Sequence, residues 1–341
     1  LLLRMSLPFQ YVSRLDQVVL LLWIALMDRA CFVHRNIAID SYLHEVMSSS
    51  RLVVAISRPI CMLIRIGHSP DPDDAFMFHA MTNGLIDTED RRYEHRLLDI
   101  ETLNQKSRHG EFEVSAVSIH SFPKICHHYE LTNCGASMGE GYGPILISNK
   151  DSNIREAAES VIAIPGLGTS AYLALRLALG DVETVVVPFD EIIPCIQRGE
   201  YSFGVIIHEG QLTWPDYGMF NILDLGKWWQ DRTDGLPLPL GGNIVRKDLG
   251  DEICISIADD IRRSIEYALE NPDSALDFAK QWGRGIDDDT NRKFVRMYVN
   301  PRTIDYGPDG REAVRRFLKE GQEIGLVDES FNVNSMRFIG E

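Results

Sequence analysis

Positive charge is scarce in this sequence. Only 34 Lys and Arg stand against 50 Asp and Glu, a formal net charge of −16 at pH 7. Binding a phosphate backbone needs a basic face, so nucleic acid is excluded as a partner. An anionic membrane surface is disfavoured for the same reason. Cysteine is also sparse, at positions 31, 61, 126, 134, 195 and 254. No two form a Cys-x-x-Cys pair, which excludes a zinc ribbon. Thiols scattered through a long chain read as reduced cysteines in a cytoplasmic protein. No His-x-x-x-His pair exists, which removes a zincin. There is no internal repeat and no low-complexity run. The most hydrophobic stretch, Val18–Met27, is too short to span a membrane: a helix of that length rises about 15 Å, half a bilayer core.

What is present is an ordinary globular composition, 45% hydrophobic over 341 residues. That length suits roughly two domains of about 150 residues each. The charge is uneven. Residues 1–61 hold six Arg and four acids, a net of +2. The remainder holds 28 basic and 46 acidic residues, a net of −18. Val18–Met27 has the length of a signal-peptide core, with Arg4 and Arg14 upstream. The charged pair Asp28-Arg29 that follows argues against a cleavage site. Residues 1–61 are therefore expected to be a non-structural extension, with the folded protein beginning near Met62.

After Met62, short apolar runs alternate with helical patterns. Strands are expected at Leu63–Gly67, Tyr93–Asp99, Val114–Ser118, Pro144–Ser148, Ser160–Ile164, Glu183–Val187 and Phe203–Ile207. Helices are expected at Pro72–Asn83, Ile100–His109, Ser170–Leu179 and Ile192–Arg198. Four more are expected at Ile253–Glu270, Pro272–Trp282, Asp288–Val299 and Arg311–Ile324. The alternation predicts an α/β protein with parallel sheets. Two lobes are expected, one of 63–148 plus 243–341 and the other of 149–242. Ligands in such folds lie beyond strand carboxyl ends, near helix N-termini.

Four loops meet that rule or border it. Ser69-Pro70-Asp71-Pro72-Asp73-Asp74 is either a capped helix start or a substrate-facing loop. Its aspartates lack the alternating ligands and central Gly of a calcium loop, so no metal is expected. The glycine-rich run 135–144 precedes a strand, which suits a hinge or a pocket wall better than a phosphate cradle. Pro165-Gly166-Leu167-Gly168-Thr169-Ser170-Ala171 follows a strand and opens a helix. It matches a variant dinucleotide fingerprint, with Asp190 downstream. The simpler reading is an anion site made by the hydroxyls of Thr169 and Ser170 and the free N–H groups near Ala171. Finally, His208 stands where an apolar strand ends, beside Glu209, and suits a general base. His68 and His120 are further candidates for a pocket wall.

From about Leu63 to Gly325 the chain resembles the futalosine-pathway enzymes of menaquinone biosynthesis, of the 1,4-dihydroxy-6-naphthoate synthase type. The resemblance is carried by Ser69-Pro70-x-Pro72-x-Asp74-x-Phe76, Asp99-Ile100-Glu101-Thr102-Leu103-Asn104, and Gly139-x-Gly141-x-Gly143-Pro144. Thr169-Ser170-Ala171-Tyr172, Ile207-His208-Glu209, Asp224-Leu225-Gly226-x-Trp228-Trp229 and Gly235-Leu236-Pro237-Leu238-Pro239-Leu240-Gly241 carry it further. It implies a two-lobed fold like that of type 2 periplasmic binding proteins, with the ligand in the cleft. It also implies a cofactor-free carbon–carbon cleavage of cyclic dehypoxanthine futalosine, giving 1,4-dihydroxy-6-naphthoate and a sugar-derived fragment. The same resemblance assigns the base to His208 and carries Ser118, Ser170 and Ala171 over to the substrate pocket. Ser69, Asp74, Thr169 and Glu209 are expected to bind the substrate beside them. Asp71, Asp73 and Ala75 depart from the Cys, Asn and Thr usual in the family. Glu140 replaces a common Arg, reversing a charge near the cleft. A non-catalytic solute-binding protein of the same fold is the alternative, and chorismate dehydratase of the same pathway ranks below both.

Overall fold

Two mixed β-sheets organise the chain from Met62 onward. The computed structural model describes residues 62–282 and 287–341. The extension 1–61 lies outside the described residues. In chain order the strands are β1 (Met62–His68), β2 (Arg91–Leu97), β3 (Val114–Ser118), β4 (Tyr129–Thr132), β5 (Ser137–Gly139) and β6 (Ile145–Ser148). They continue with β7 (Ile162–Ile164), β8 (Thr184–Val186), β9 (Phe203–Ile206), β10 (Phe220–Asp224), β11 (Leu238–Arg246) and β12 (Phe338–Ile339). The first sheet has the order β12-β4-β11-β3-β1-β2, with β5 also paired to β11. The second has the order β10-β6-β9-β7-β8.

The helices that bear on the site are α1 (Pro72–Met77), α2 (Ile100–Ser107), α3 (Ser170–Leu179), α4 (Leu225–Arg232), α5 (Asp251–Glu270), α6 (Pro272–Ala279), α7 (Asp288–Tyr298) and α8 (Gly307–Glu323). Strands β3, β6, β7 and β9 are buried along their whole length. β7 and β9 are apolar throughout, whereas β3 also buries Ser115 and Ser118 and β6 buries Ser148. Helix α5 contributes Cys254, Ile257, Ala258, Ile261 and Ile265 to a core shared with Ile64, Ile66, Phe76 and Phe78.

The α/β class is as expected, but the sheets are not purely parallel. β1 runs parallel to β2 and β3, and β7 parallel to β8 and β9. β11 runs antiparallel to β3, β4 and β5, and β6 antiparallel to β9 and β10. The reason is that the chain crosses between the sheets twice, between Gly139 and Ile145 and again between Asp224 and Leu238. Each crossing brings a strand in against the local direction. The crossings also move the expected lobe boundaries. Ile145–Ser148, assigned to the first lobe, pairs in the second sheet. Leu238–Gly242, assigned to the second lobe, pairs in the first.

The helix expected over Pro72–Asn83 is broken. α1 ends at Met77, Phe78 has φ −92° and ψ 4°, and a separate turn follows at His79–Thr82. The two crossings touch each other. A Cβ added to Gly143 would lie 2.9 Å from the Gly226 Cα, so these glycines let one backbone pass directly over the other. The cysteines Cys126, Cys134, Cys195 and Cys254 are free. Among the described residues no helix is long and apolar enough to cross a membrane.

Candidate active site

A cleft between the sheets encloses about 740 Å³, its open mouth included. Ser69, Asp71, Asp73 and Asp74 enter it from the turn after β1 and the start of α1. Thr169, Ser170 and Ala171 enter from the start of α3, and Ile207 and His208 from the end of β9. Phe294 and Tyr298 of α7 close one side.

His208 has a left-handed backbone, φ +60°. A non-glycine residue in that region carries strain of order 1–3 kcal/mol and persists only where its surroundings enforce it. The enforcement here is visible. The His208 Nδ1 lies 2.7 Å from Asp71 Oδ2. The Phe189 ring stands edge-on to the imidazole, with centroids 4.4 Å apart. The Nε2 atom is buried with no hydrogen-bond partner. Asp71 occupies the N-cap position of α1, yet its side chain makes no capping hydrogen bond.

Two more carboxyls crowd the same turn. Asp74 Oδ2 accepts hydrogen bonds from the Ser69 N–H and Oγ, each at 2.7 Å. Burial pushes its pKa up to about 6, against the pull of those two bonds. Asp73 is raised well above the carboxylate range, first by burial and then by the charges of Asp74 and Asp71.

The start of α3 differs in detail from expectation. Thr169 caps the helix, accepting from the Tyr172 N–H at 3.2 Å, and donates its own proton to the Gly166 carbonyl at 2.8 Å. Ser170 Oγ donates to the Leu240 carbonyl at 2.6 Å and accepts from the His120 N–H at 3.2 Å. Both hydroxyl protons are committed to holding the fold. The donors left for a ligand are the first N–H groups of the helix, those of Ser170 and Ala171, which have no intrahelical partner. The glycines before them leave no room for a pyrophosphate. Glu101 of α2 fills the loop, its Oε2 accepting from the Gly168 N–H at 3.1 Å. A Cβ on Gly166 would meet the same carboxylate at 2.5 Å. The donor a dinucleotide fingerprint offers to phosphate is thus taken by the protein's own carboxylate.

The other sequence candidates divide. Ser118 lines the cleft and is held by Asn104, which donates to its Oγ at 3.1 Å and accepts from its N–H at 2.9 Å. Glu209 is buried but does not line the cleft, because the left-handed His208 turns the chain into the short helix Gly210–Thr213. Glu140 is also outside the cleft lining and pairs with Arg302, so its charge is neutralised on the surface. His68 and His120 do not line the cleft. Burial lowers both to a pKa of about 4, and each holds a backbone carbonyl, that of Ser69 at 2.9 Å and that of Thr169 at 3.1 Å. Gly135-Ala136-Ser137-Met138-Gly139 spells a nucleophile-elbow motif, but Ser137 lies on strand β5 with no helix following.

Sequence reasoning did not find Gln211, Asn243, Phe294 or Tyr298. Gln211 accepts a hydrogen bond from the Tyr298 hydroxyl at 2.5 Å across a separation of 87 residues. Only the spacing of Gln211 from His208, about one helical turn, offered a signal. Among the described residues no group of three or more His, Cys, Asp or Glu is arranged to hold a metal ion.

Residues 64–323 match the family described as menaquinone biosynthesis. The chain belongs to this menaquinone-biosynthesis family. Within it, the chain is similar to the 1,4-dihydroxy-6-naphthoate synthase of Thermus thermophilus, at 35% identity over 264 residues, 77% of this chain and 96% of the relative. It is similar to that of Streptomyces coelicolor at 32% identity over 271 residues, 77% of this chain and 94% of the relative. Among solved structures it resembles protein AF1704 of Archaeoglobus fulgidus, with a TM-score of 0.74 and 41% identity over 78% of this chain and 98% of that one. The alkanesulfonate-binding protein SsuA of Xanthomonas axonopodis pv. citri shares the fold alone, with a TM-score of 0.62 and 9% identity over 80% and 96% of the two chains. The two-lobed architecture of periplasmic binding proteins is thus the scaffold on which this menaquinone-biosynthesis protein builds its cleft. Its strained histidine and triple-aspartate turn are local features of that cleft.

Proposed function

We propose that this protein is a carbon–carbon lyase of menaquinone biosynthesis that converts cyclic dehypoxanthine futalosine to 1,4-dihydroxy-6-naphthoate, with His208 as general base. The observation that carries this reading is the His208 Nε2, buried at the cleft with no partner. A basic nitrogen without a protein proton to accept is poised to take one from a ligand. Abstraction of a proton from a sugar hydroxyl would turn that C–O bond into a carbonyl as the adjacent carbon–carbon bond breaks. The released electron pair passes into the conjugated ring system that becomes the naphthoate. The substrate carboxylate would rest on the N–H groups of Ser170 and Ala171 at the positive end of α3. The site is local, and the acidic surface is screened over about 10 Å, so the net charge does not forbid an anion. Ser69, Asp74 and Ser118 would line the remaining contact. Glu209, off the cleft wall, would act only through the turn that sets His208. The reading includes a cytoplasmic location, supported by free thiols, and no added cofactor.

The test is turnover of cyclic dehypoxanthine futalosine by purified protein without additives, followed by mass spectrometry of 1,4-dihydroxy-6-naphthoate. His208→Ala should lower turnover by about 10²–10⁴-fold. Substrate recovered unchanged but bound would favour the solute-binding alternative. Undiminished turnover in His208→Ala would remove His208 from the base role.

A further inference from the structure

We propose that Asp71 is a positioning residue for His208, fixing the imidazole as the Nδ1–H tautomer so that the Nε2 lone pair faces the cleft. This rests on the reading of His208 as base and adds the group that makes it one. Three observations converge. First, Asp71 sits at an N-cap position without capping. Asp ranks among the best capping residues, so the bond it forgoes is a stabilising one. Its carboxylate instead lies 2.7 Å from His208 Nδ1. Second, both groups are fixed. The Asp71 side chain is 4% exposed and that of His208 12%. Phe189 packs edge-on against the ring, and the left-handed backbone holds His208 at the end of β9. Third, the two residues come from different sheets, Asp71 from the turn after β1 and His208 from β9. Their contact therefore forms only when the cleft walls are together.

The chemistry follows from what a carboxylate can do. An ionised carboxylate accepts hydrogen bonds and donates none. The nitrogen facing Asp71 must therefore carry the proton, and the far nitrogen must be the free base. When Nε2 takes a proton from the ligand, the ring becomes an imidazolium with Asp71 beside it. The negative charge stabilises that ion in a site shielded from water. No proton need pass to Asp71 for this to work.

The test separates the dyad from the reaction. Nitrogen-15 NMR of histidine-labelled protein reports which ring nitrogen bears the proton, with no substrate present, and His208→Gln identifies the signal. The wild type should show His208 protonated on Nδ1 at pH 8. In Asp71→Ala the ring should revert to the Nε2–H form usual for free histidine. Asp71→Asn keeps the shape of the buried side chain while removing its charge, and serves if Asp71→Ala fails to fold. With cyclic dehypoxanthine futalosine, Asp71→Asn should lower kcat by about 10²-fold or more with KM within about threefold. A wild-type His208 protonated on Nε2, or Asp71→Asn with kcat within threefold of wild type, overturns the proposal. If the wild type shows the Nδ1–H form but does not turn this substrate over, the dyad stands and the substrate assignment fails.

Discussion

Glu101 of α2 accepts a hydrogen bond from the Gly168 N–H at 3.1 Å, joining the first sheet's helix to the loop that opens α3. This contact occupies the place where a dinucleotide would bind. NADH should therefore produce no change in fluorescence when titrated to millimolar concentration. Glu101→Ala should cost about 1 kcal/mol, the order expected for one hydrogen bond to a half-exposed charged group, read as a lower urea midpoint. Saturable NADH binding would return the dinucleotide reading to consideration.

Backbone strain at His208 predicts an ordering of two variants. Both His208→Ala and His208→Gly lose the contact to Asp71, but only alanine must keep a Cβ at φ +60°. Glycine adopts that region freely. His208→Gly should be more stable than His208→Ala by about 1 kcal/mol, although glycine gains more freedom when unfolded. Chemical denaturation of the pair checks this, and equal midpoints would argue that the site holds no strain.

Buried titratable groups predict opposing dependences on pH. His68 and His120 are lowered to about 4 and His95 to about 3, chiefly by burial. As pH falls from about 6.5 through 4, the unfolded chain binds protons at these rings that the folded chain refuses, so stability falls. Asp74 acts in the opposite direction. Its folded pKa of about 6 lies above the usual carboxylate value near 4, so the stability it contributes in acid is lost as pH rises through 6. Asp74→Asn removes that counterweight. Its urea midpoint should fall more steeply than that of the wild type between pH 6.5 and 4.5.

Ser170 supplies a fourth prediction. Its hydroxyl ties α3 to β11 through the Leu240 carbonyl and to the turn after β3 through the His120 N–H. The side chain is buried, so Ser170→Ala leaves two polar groups unsatisfied at a cost of about 1–3 kcal/mol. Thermal unfolding should drop by roughly 2–4 °C for each kcal/mol lost in a protein of this size. An unchanged midpoint would mean that water replaces the hydroxyl.

The site was legible where local rules suffice. Phe203–Ile206 is apolar throughout, so its end, and His208 with it, could be placed at a strand's carboxyl edge. Thr169 announced a helix start, and it caps one. The failures are equally physical. Strand β11 contains Pro239, Gly241 and Gly242, residues that weaken any strand signal, and its pairing partners hold it in place. Asp71 next to Pro72 looked like a cap, and only the fold reveals that the carboxylate turns to His208. Tyr298 reaches Gln211 across 87 residues, a contact no local pattern encodes.

The meeting of Gly143 and Gly226 has a consequence for how the cleft can open. Where two connecting segments lie apart, each bends on its own and the lobes can swing, twist or slide. Here the segments rest against each other with no side chain between them. That contact blocks any closer approach of the two segments and gives the lobes a fixed point about which to pivot. Rotation about it separates the residues that the two sheets bring together in the cleft, Asp71 and His208 among them.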